Sequence, residues 1–149
     1  SRRKVIAVDV DIRQHNQEAI DAHPMRPWCE FIEDSSVSGS VITRVSRLAS
    51  EYDCVMVCLD SNHTHQHVLS ELNAYAPLVT TGSYCVVFDT IIEHLSEDSY
   101  PDRPWGRGNS PKSAIDAYLA QTDKFEVDRE IEGKLLLTVS PGGFLRKVR

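Results

Sequence analysis

The sequence lacks several features that would assign it to a simple class. No apolar run approaches the roughly 18 residues that a membrane-spanning helix needs, so we expect neither a membrane span nor a signal peptide. Basic residues are not in excess. The chain has 16 Lys and Arg and 22 Asp and Glu, which gives a net charge of -6. This charge argues against a dedicated nucleic-acid-binding protein. A Gly-x-Ser-x-Gly motif is also missing, which argues against a serine hydrolase.

Paired cysteine motifs are absent as well. The four cysteines show no zinc-type spacing with histidine, and Cys54, Cys58 and Cys85 fall inside apolar runs, where cysteine behaves as a small hydrophobic residue. We therefore expect reduced thiols and a cytoplasmic protein. The remaining composition, 41% hydrophobic and 26% charged over 149 residues, is that of an ordinary globular chain, and we expect one domain over residues 1–149.

Two apolar segments end in an acidic residue. Cys54–Leu59 precedes Asp60, and Tyr84–Phe88 precedes Asp89. Apolar runs of this kind are typical of parallel strands that are covered on both faces, and ligands bind at the carboxyl ends of such strands. Both acids are therefore candidate Mg²⁺ ligands, since carboxylate oxygens are the hard ligands that this ion prefers.

Three histidines follow Asp60 at alternate positions, His63, His65 and His67. In an extended chain they would share one side and offer a site for Zn, Fe or Ni, whereas on a helix His63 and His67 would lie one turn apart. The alternative is that the histidines line the mouth of a cleft and that at most one contacts a substrate.

Two earlier strand patterns also end in acids. Lys4–Val8 leads to Asp9, and an acid at the end of an early strand often binds the ribose hydroxyls of a nucleotide-like cofactor. Helix capping is the alternative role for Asp9. The strand Trp28–Glu33 leads to Asp34 and Ser35, in a turn that either contacts an adenine ring or caps the next helix.

Periodicity predicts helices over residues 16–22, 40–50, 67–75 and 111–120. Near the C-terminus, Phe125–Ile131 alternates like a half-exposed strand, and Lys134–Val139 has the pattern of a buried one. These two strands would close an otherwise parallel sheet in antiparallel fashion.

We expect residues 96–110 to form a long loop. Trp105 within it indicates either a lid over the substrate or an attachment of the loop to the surface.

Several segments together resemble one known family. They are Val8–Asn16, Leu59–Leu69, Tyr75–Val79, Asp89–Glu93, Arg103–Gly106 and Leu136–Val139, and the run from Asp60 to His65 is the most specific of them. In this order they resemble the cephalosporin hydroxylase family, whose members have the S-adenosylmethionine-dependent methyltransferase fold and include rhamnosyl O-methyltransferases.

The resemblance implies an α/β protein with a Rossmann-like class I methyltransferase sheet, mostly parallel with an antiparallel C-terminal hairpin. It also implies that S-adenosylmethionine and Mg²⁺ are the cofactors. By this resemblance Asp9 contacts the ribose, Asp34 and Ser35 lie near the adenine, and Asp60 and Asp89 hold the Mg²⁺.

Two positions depart from the family pattern. Phe88 stands where the family has Glu, so one of three carboxylate ligands is missing and Mg²⁺ binding should be weakened. The first strand of the family's sheet and its Gly-rich turn have no counterpart either. We therefore expect residues 1–149 to form an N-terminally incomplete methyltransferase-like domain.

These features lead to one main hypothesis, an O-methyltransferase acting on a small hydroxylated molecule or sugar. Mg²⁺ would bind the substrate oxygens, His63 would be the general base, and Trp105 would contact the substrate. A catalytically silent domain used for ligand binding or assembly is the alternative, and an iron-dependent hydroxylase is a third hypothesis. The expected partners are a small-molecule substrate and further copies of the chain in a homo-oligomer.

Overall fold

The computed structural model describes residues 3–149, and for Glu97 it describes the backbone alone. The chain divides after Tyr52 into two compact units, residues 1–52 and residues 53–149.

The first unit has two parallel strands that alternate with two helices. Its elements are β1 (Val5–Asp9), α1 (Gln14–Ala22), a 3-10 turn (Arg26–Trp28), β2 (Cys29–Glu33) and α2 (Gly39–Ala49). β1 and β2 pair in parallel, with Val5 opposite Cys29 and Asp9 opposite Glu33. The carboxyl ends of both strands therefore lie at the same edge. The apolar periodicity of α2 is confirmed, because Val41 and Leu48 are buried.

The second unit contains a mixed four-stranded sheet. Its strands are β3 (Val57–Leu59), β4 (Tyr84–Val87), β5 (Phe125–Val127) and β6 (Phe144–Lys147). Its helices are α3 (His65–Tyr75), α4 (Pro111–Leu119) and α5 (Arg129–Leu135), with 3-10 turns at Ala76–Leu78, Thr90–His94 and Glu97–Ser99. The strand order is β3-β4-β6-β5, in which β3 and β4 are parallel and β6 runs antiparallel to both β4 and β5. The predicted α/β class with antiparallel strands at the C-terminal end is confirmed.

The core of the second unit lies where α3 and α4 pack against each other and where β4 meets β6. Leu72 of α3, Ile115 of α4 and Leu145 of β6 are completely buried. A serine-based capping box fixes the start of α4, since Ser110 accepts from the backbone amide of Ser113 and the Ser113 hydroxyl accepts from that of Ser110. This helix begins at Pro111, as its sequence predicted.

One predicted strand is wrong in its extent and burial. Cys54–Leu59 was expected to be covered on both faces, but β3 begins only at Val57, and Cys54, Met56 and Cys58 are exposed. The exposed residues alternate with the partly buried Val55 and Val57 and the buried Leu59, so one face of the segment is covered and the other is exposed. β3 is also an edge strand of the four-stranded sheet of this unit. An apolar run alone does not distinguish an edge strand from a central one.

The C-terminal strand predictions are also partly wrong. The strand expected over Phe125–Ile131 ends at Val127, because the carboxylate of Asp128 accepts from the backbone amides of Glu130 and Ile131 and so begins α5. The second strand, expected over Lys134–Val139, is the end of that helix followed by exposed chain. Leu136 and Leu137 are 86% and 90% exposed, so the leucine run does not enter the core.

Two global expectations concern the cysteines and the membrane. All four cysteines are free thiols, in agreement with the prediction of reduced residues. Within residues 3–149, no helix has both the length and the apolar character required to cross a bilayer.

Candidate metal and methyl-acceptor site

Three side chains converge at the carboxyl ends of β3 and β4. Each of Asp60, His63 and Asp89 offers one ligand atom, and these atoms all lie within 4.8 Å of one another. The Nε2 atom of His63 is 3.1 Å from Oδ2 of Asp89, and both side chains are partly buried. The structure thus brings the two strand-end acids together, as their positions in the sequence predicted, and places His63, the candidate general base, beside them.

Local hydrogen bonds fix the loop that carries Asp60 and His63. The Asn62 carboxamide oxygen accepts from both the backbone amide and the hydroxyl of Thr64, at 2.9 and 2.7 Å. Ser61 donates to the buried carboxylate of Glu71 at 2.7 Å. This short loop is therefore held from both sides before α3 begins at His65.

Asp89 has a left-handed backbone conformation, with φ of 54°. This region is costly for a residue with a side chain, and such residues concentrate at functional sites. The residues that follow hold it in place, because Thr90 is completely buried and donates to the Pro141 carbonyl at 2.8 Å, and the Ile91 amide donates to the Val139 carbonyl at 3.1 Å. The conformation of Asp89 is thus imposed by its tertiary contacts.

The turn at residues 140–143 packs directly against the end of β4. The Val87 amide donates to the Gly143 carbonyl at 2.9 Å. A Cβ atom at Gly143 would lie 2.2 Å from the Val87 carbonyl oxygen, so only glycine permits this approach. The close contact supports β4 one residue before Phe88 and two before Asp89.

The three histidines have three different partners. His63 lies beside Asp89, His65 exchanges a hydrogen bond with the Ser113 hydroxyl at 2.9 Å, and His67 is 3.4 Å from the Glu71 carboxylate. The alternative of one metal site shared by the three histidines is wrong for the described residues, because of the three only His63 belongs to a cluster of potential metal ligands.

The ring of Trp105 packs on His63. The two ring centroids are 4.9 Å apart at an interplanar angle of 72°, an edge-to-face arrangement. The Arg103 guanidinium lies 5.2 Å from the centroid of the same tryptophan. Trp105 is therefore next to the predicted site.

The predicted cofactor residues meet at the edge of the first unit's sheet. The Asp34 amide donates to the Asp9 carbonyl at 2.9 Å, and the Asp34 carboxylate accepts from the Ser35 amide at 2.6 Å. The alternative of helix capping is wrong for Asp9, whose carboxylate accepts from the Asp11 amide at 3.0 Å. It is also wrong for Ser35, because the residue that precedes α2 is Ser38.

Asp9 also lines a cleft of about 310 Å³ in the first unit. Asp9 and Asp34 are both exposed, so each can accept hydrogen bonds from a ligand. Two exposed acids at the ends of adjacent parallel strands fit a ligand that carries vicinal hydroxyls, such as a ribose.

The donor set of the second unit fits a divalent cation. Asp60 and Asp89 supply two carboxylates, and His63 supplies a nitrogen in the same cluster. Phe88, which is partly buried, supplies no donor atom from its side chain. Its backbone amide donates to the Leu59 carbonyl at 2.9 Å and extends the pairing of β3 with β4 toward the site.

Sequence reasoning missed the residues that support this site. Four side chains form hydrogen bonds to residues in or beside the loops of the site, namely Glu71, Glu93, Asn109 and Ser113. Glu71 alone had a usable signal, since it lies four residues after His67 on a predicted helix. The other three come from distant segments, which no local spacing indicates.

The rhamnosyl O-methyltransferase/CmcI family model matches residues 1–148. Rhamnosyl O-methyltransferases of Mycobacterium tuberculosis (strain H37Rv) and Mycobacterium leprae (strain TN) are 34% and 32% identical to the chain, each over 145 residues. These alignments cover 95% of this chain but 55% and 58% of the mycobacterial proteins, so the chain spans little more than half of their length.

Solved structures with the same fold include the MycE methyltransferase of the mycinamycin biosynthetic pathway. Its complex with Mg and SAH has a TM-score of 0.53 and 13% identity, and the match covers 100% of this chain and 46% of MycE. Its complex with Mg, SAH and mycinamycin VI gives a TM-score of 0.52. At this identity the likeness concerns the fold alone.

Proposed function

The chain belongs to the rhamnosyl O-methyltransferase/CmcI family, and from this premise we propose that it serves in the S-adenosylmethionine-dependent O-methylation of a small hydroxylated molecule or sugar. The observation that carries the proposal is the cluster of Asp60, His63 and Asp89 at the ends of two adjacent parallel strands. All three residues of the cluster lie in the segments Leu59–Leu69 and Asp89–Glu93, which also carry the resemblance to the family.

In the proposed reaction S-adenosylmethionine, when bound, supplies an electrophilic methyl group. Asp9, Asp34 and Ser35 are the residues that would hold its ribose and adenine. Asp60 and Asp89 would hold Mg²⁺, which lowers the pKa of a hydroxyl that it binds.

His63 would accept the proton of the acceptor hydroxyl, and the acceptor oxygen would then form its bond to the methyl carbon. The bond between that carbon and the sulfonium sulfur would break in the same step, with S-adenosylhomocysteine as the leaving group. The Asp89 carboxylate, 3.1 Å from Nε2, would orient the imidazole for this step. Trp105, in contact with the same imidazole, would form the wall against which the acceptor packs. Methyl transfer needs little beyond this alignment and the removal of one proton.

Isothermal titration calorimetry with S-adenosylmethionine tests whether the chain binds this cofactor. We expect measurable heat with the wild-type chain at millimolar ligand. Asp9→Asn should weaken binding by about 10- to 100-fold, since a hydrogen bond to a charged group contributes about 1.5–3 kcal/mol. Glu33→Gln is the matched control, because Glu33 is an exposed acid at the end of β2 in the same unit. If the wild-type chain gives no heat above noise, the proposal is wrong for this polypeptide.

A second candidate is a catalytically silent domain that retains the fold for ligand binding or assembly. Phe88 favours it, because a site with one carboxylate fewer binds Mg²⁺ more weakly. The two candidates differ in whether S-adenosylhomocysteine accumulates when the chain is incubated with cofactor, Mg²⁺ and a sugar acceptor.

We also propose that the chain forms a homo-oligomer and works in the cytoplasm on a small-molecule substrate. The exposed run from Leu135 to Leu137 supports self-association, because contiguous exposed apolar residues are typical of interaction surfaces. The four free cysteines support a reducing compartment.

A further inference from the structure

The turn that carries Trp105 is bound to both loops of the candidate site. The carboxamide oxygen of Asn109 accepts from the backbone amide of His65 at 2.9 Å, only two residues after His63. The Glu93 carboxylate accepts from the Gly108 amide, at 3.1 Å to Oε1 and 3.0 Å to Oε2. Glu93 itself lies four residues after Asp89. The turn is therefore hydrogen-bonded through Asn109 to the chain that follows His63, and through Gly108 to the chain that follows Asp89.

Glu93 makes most of these contacts. Besides Gly108, its carboxylate accepts from the hydroxyl of Ser110, which is completely buried at the start of α4. Its backbone carbonyl accepts from Nε of Arg107 at 3.4 Å. Hydrogen bonds to a carboxylate are stronger than those between neutral groups. This single side chain thus connects the 3-10 helix Thr90–His94 to the chain on both sides of Asn109.

The turn is closed on itself as well. Gly106 and Asn109 exchange two backbone hydrogen bonds of 3.0 Å, and the Asn109 carboxamide donates to the Pro104 carbonyl at 2.7 Å. Trp105 lies between Pro104 and Gly106, two residues that these bonds restrain. Its ring is therefore held on His63 by the backbone of the turn, with the Arg103 guanidinium beside the ring.

We infer that Glu93 is a positioning residue: it fixes the turn of residues 103–110 so that Trp105 holds the His63 imidazole beside Asp89. The segment is then a fixed wall of the site, in contrast to a lid that opens and closes. The catalytic meaning of this inference rests on the proposed function, because only there does the orientation of His63 affect a reaction. The contact itself does not depend on activity and can be measured directly.

The histidine ring resonances in carbon-edited NMR spectra report this contact. The chain has six histidines, and the signal of His63 is assigned as the one lost in His63→Gln. Trp105→Leu removes the ring current that the indole exerts on His63 and so defines the position of the signal when the contact is absent. Spectra of all variants are recorded at one pH.

In Glu93→Ala we expect the His63 signal to move from its wild-type position toward its position in Trp105→Leu. Loss of these charge-assisted hydrogen bonds should raise the fraction of molecules in which Trp105 has left His63 by about 10- to 100-fold. Glu93→Gln keeps the shape of the side chain and removes its charge, so it should displace the His63 signal in the same direction by a smaller amount. This variant also provides the test if Glu93→Ala does not fold. Glu126→Ala, at an exposed glutamate that pairs with Arg146, is the control and should leave the signal in place.

A His63 signal that stays at its wild-type position in a folded Glu93 variant overturns the inference, even if that variant melts at a lower temperature. Such a result would give Glu93 a purely structural role. Absence of methyl transfer in the wild-type chain would count against the proposed function and would leave the NMR result intact. The two failures are therefore distinguishable.

Discussion

The thiol of Cys85 should make the stability of the second unit depend on alkaline pH. Cys85 lies in β4, in register with Val57 of β3 and Leu145 of β6, and its side chain is completely buried. Burial raises the pKa of this thiol from its ordinary value of 9.0 to about 12, with smaller contributions from Cys58 and Glu71. The folded protein therefore keeps a proton on Cys85 that the unfolded chain loses above about pH 9.

The sign and the size of the effect follow from this difference. A group whose pKa is raised by folding contributes its full stabilisation below the unfolded pKa and loses it as the pH rises toward the folded pKa. For Cys85 the loss begins near pH 9 and reaches about 1.4 kcal/mol at pH 10, with a limit of about 4 kcal/mol near pH 12. Tyr75, whose pKa burial raises to about 12, adds to the loss only above pH 10.

Urea unfolding of the wild type and of Cys85→Ala, at several values from pH 7 to pH 10, measures this contribution. The wild type should lose about 1.4 kcal/mol more than the variant over this range, because the alanine has no proton to lose. Val86→Ala, which removes a buried apolar neighbour, is the matched control and should lower the unfolding free energy without changing its dependence on pH. Parallel pH profiles of the wild type and Cys85→Ala would refute the reasoning.

Two further predictions concern the metal site and self-association. Phe88→Glu places a third carboxylate beside Asp89, and we expect Mg²⁺ binding measured by calorimetry to tighten at least about tenfold, since ligand charge sets the affinity of such sites. Phe88→Gln is the uncharged control, and an unchanged Mg²⁺ affinity in Phe88→Glu would count against any inherited metal site. Replacing the exposed Leu136 and Leu137 by serine should weaken self-association in sedimentation equilibrium, whereas Met25→Ser, at an exposed apolar residue of the first unit, should not. Equal association constants for the wild type and the double variant would show that the leucines lie outside the interface.

Much of the fold could be predicted from local sequence. The helices near residues 16–22, 40–50, 67–75 and 111–120 all exist, with ends displaced by at most a few residues. Their apolar periodicity and, for α4, the proline at the first helical position are local signals. The strand ends at Asp9, Asp60 and Asp89 could also be located, because apolar runs that stop at an acid indicate where a strand meets solvent.

The C-terminal segment shows where this reasoning fails. The leucines at 135–137 have the composition of a buried strand, yet Asp128 begins a helix a few residues earlier, and the chain leaves that helix exposed. Composition describes how well a residue suits burial, whereas burial itself requires a partner surface. Similarly, the apolar run before Asp60 could not reveal that β3 would be an edge strand.

The sequence by itself determined the two acids of the candidate site and the family to which the chain belongs, because both depend on residue identity and order. The tertiary structure alone decided which histidine joins those acids. His63, His65 and His67 are equivalent in spacing, but α3 begins between the first and the second, so His63 meets Asp89 while the others turn to Ser113 and Glu71. The wall formed by Trp105 depends in the same way on the bond of Glu93 to Gly108, 15 residues away in the chain, and on the bond of Asn109 to His65, 44 residues away. Contacts at such separations are set by the packing of whole elements, and no local pattern encodes them.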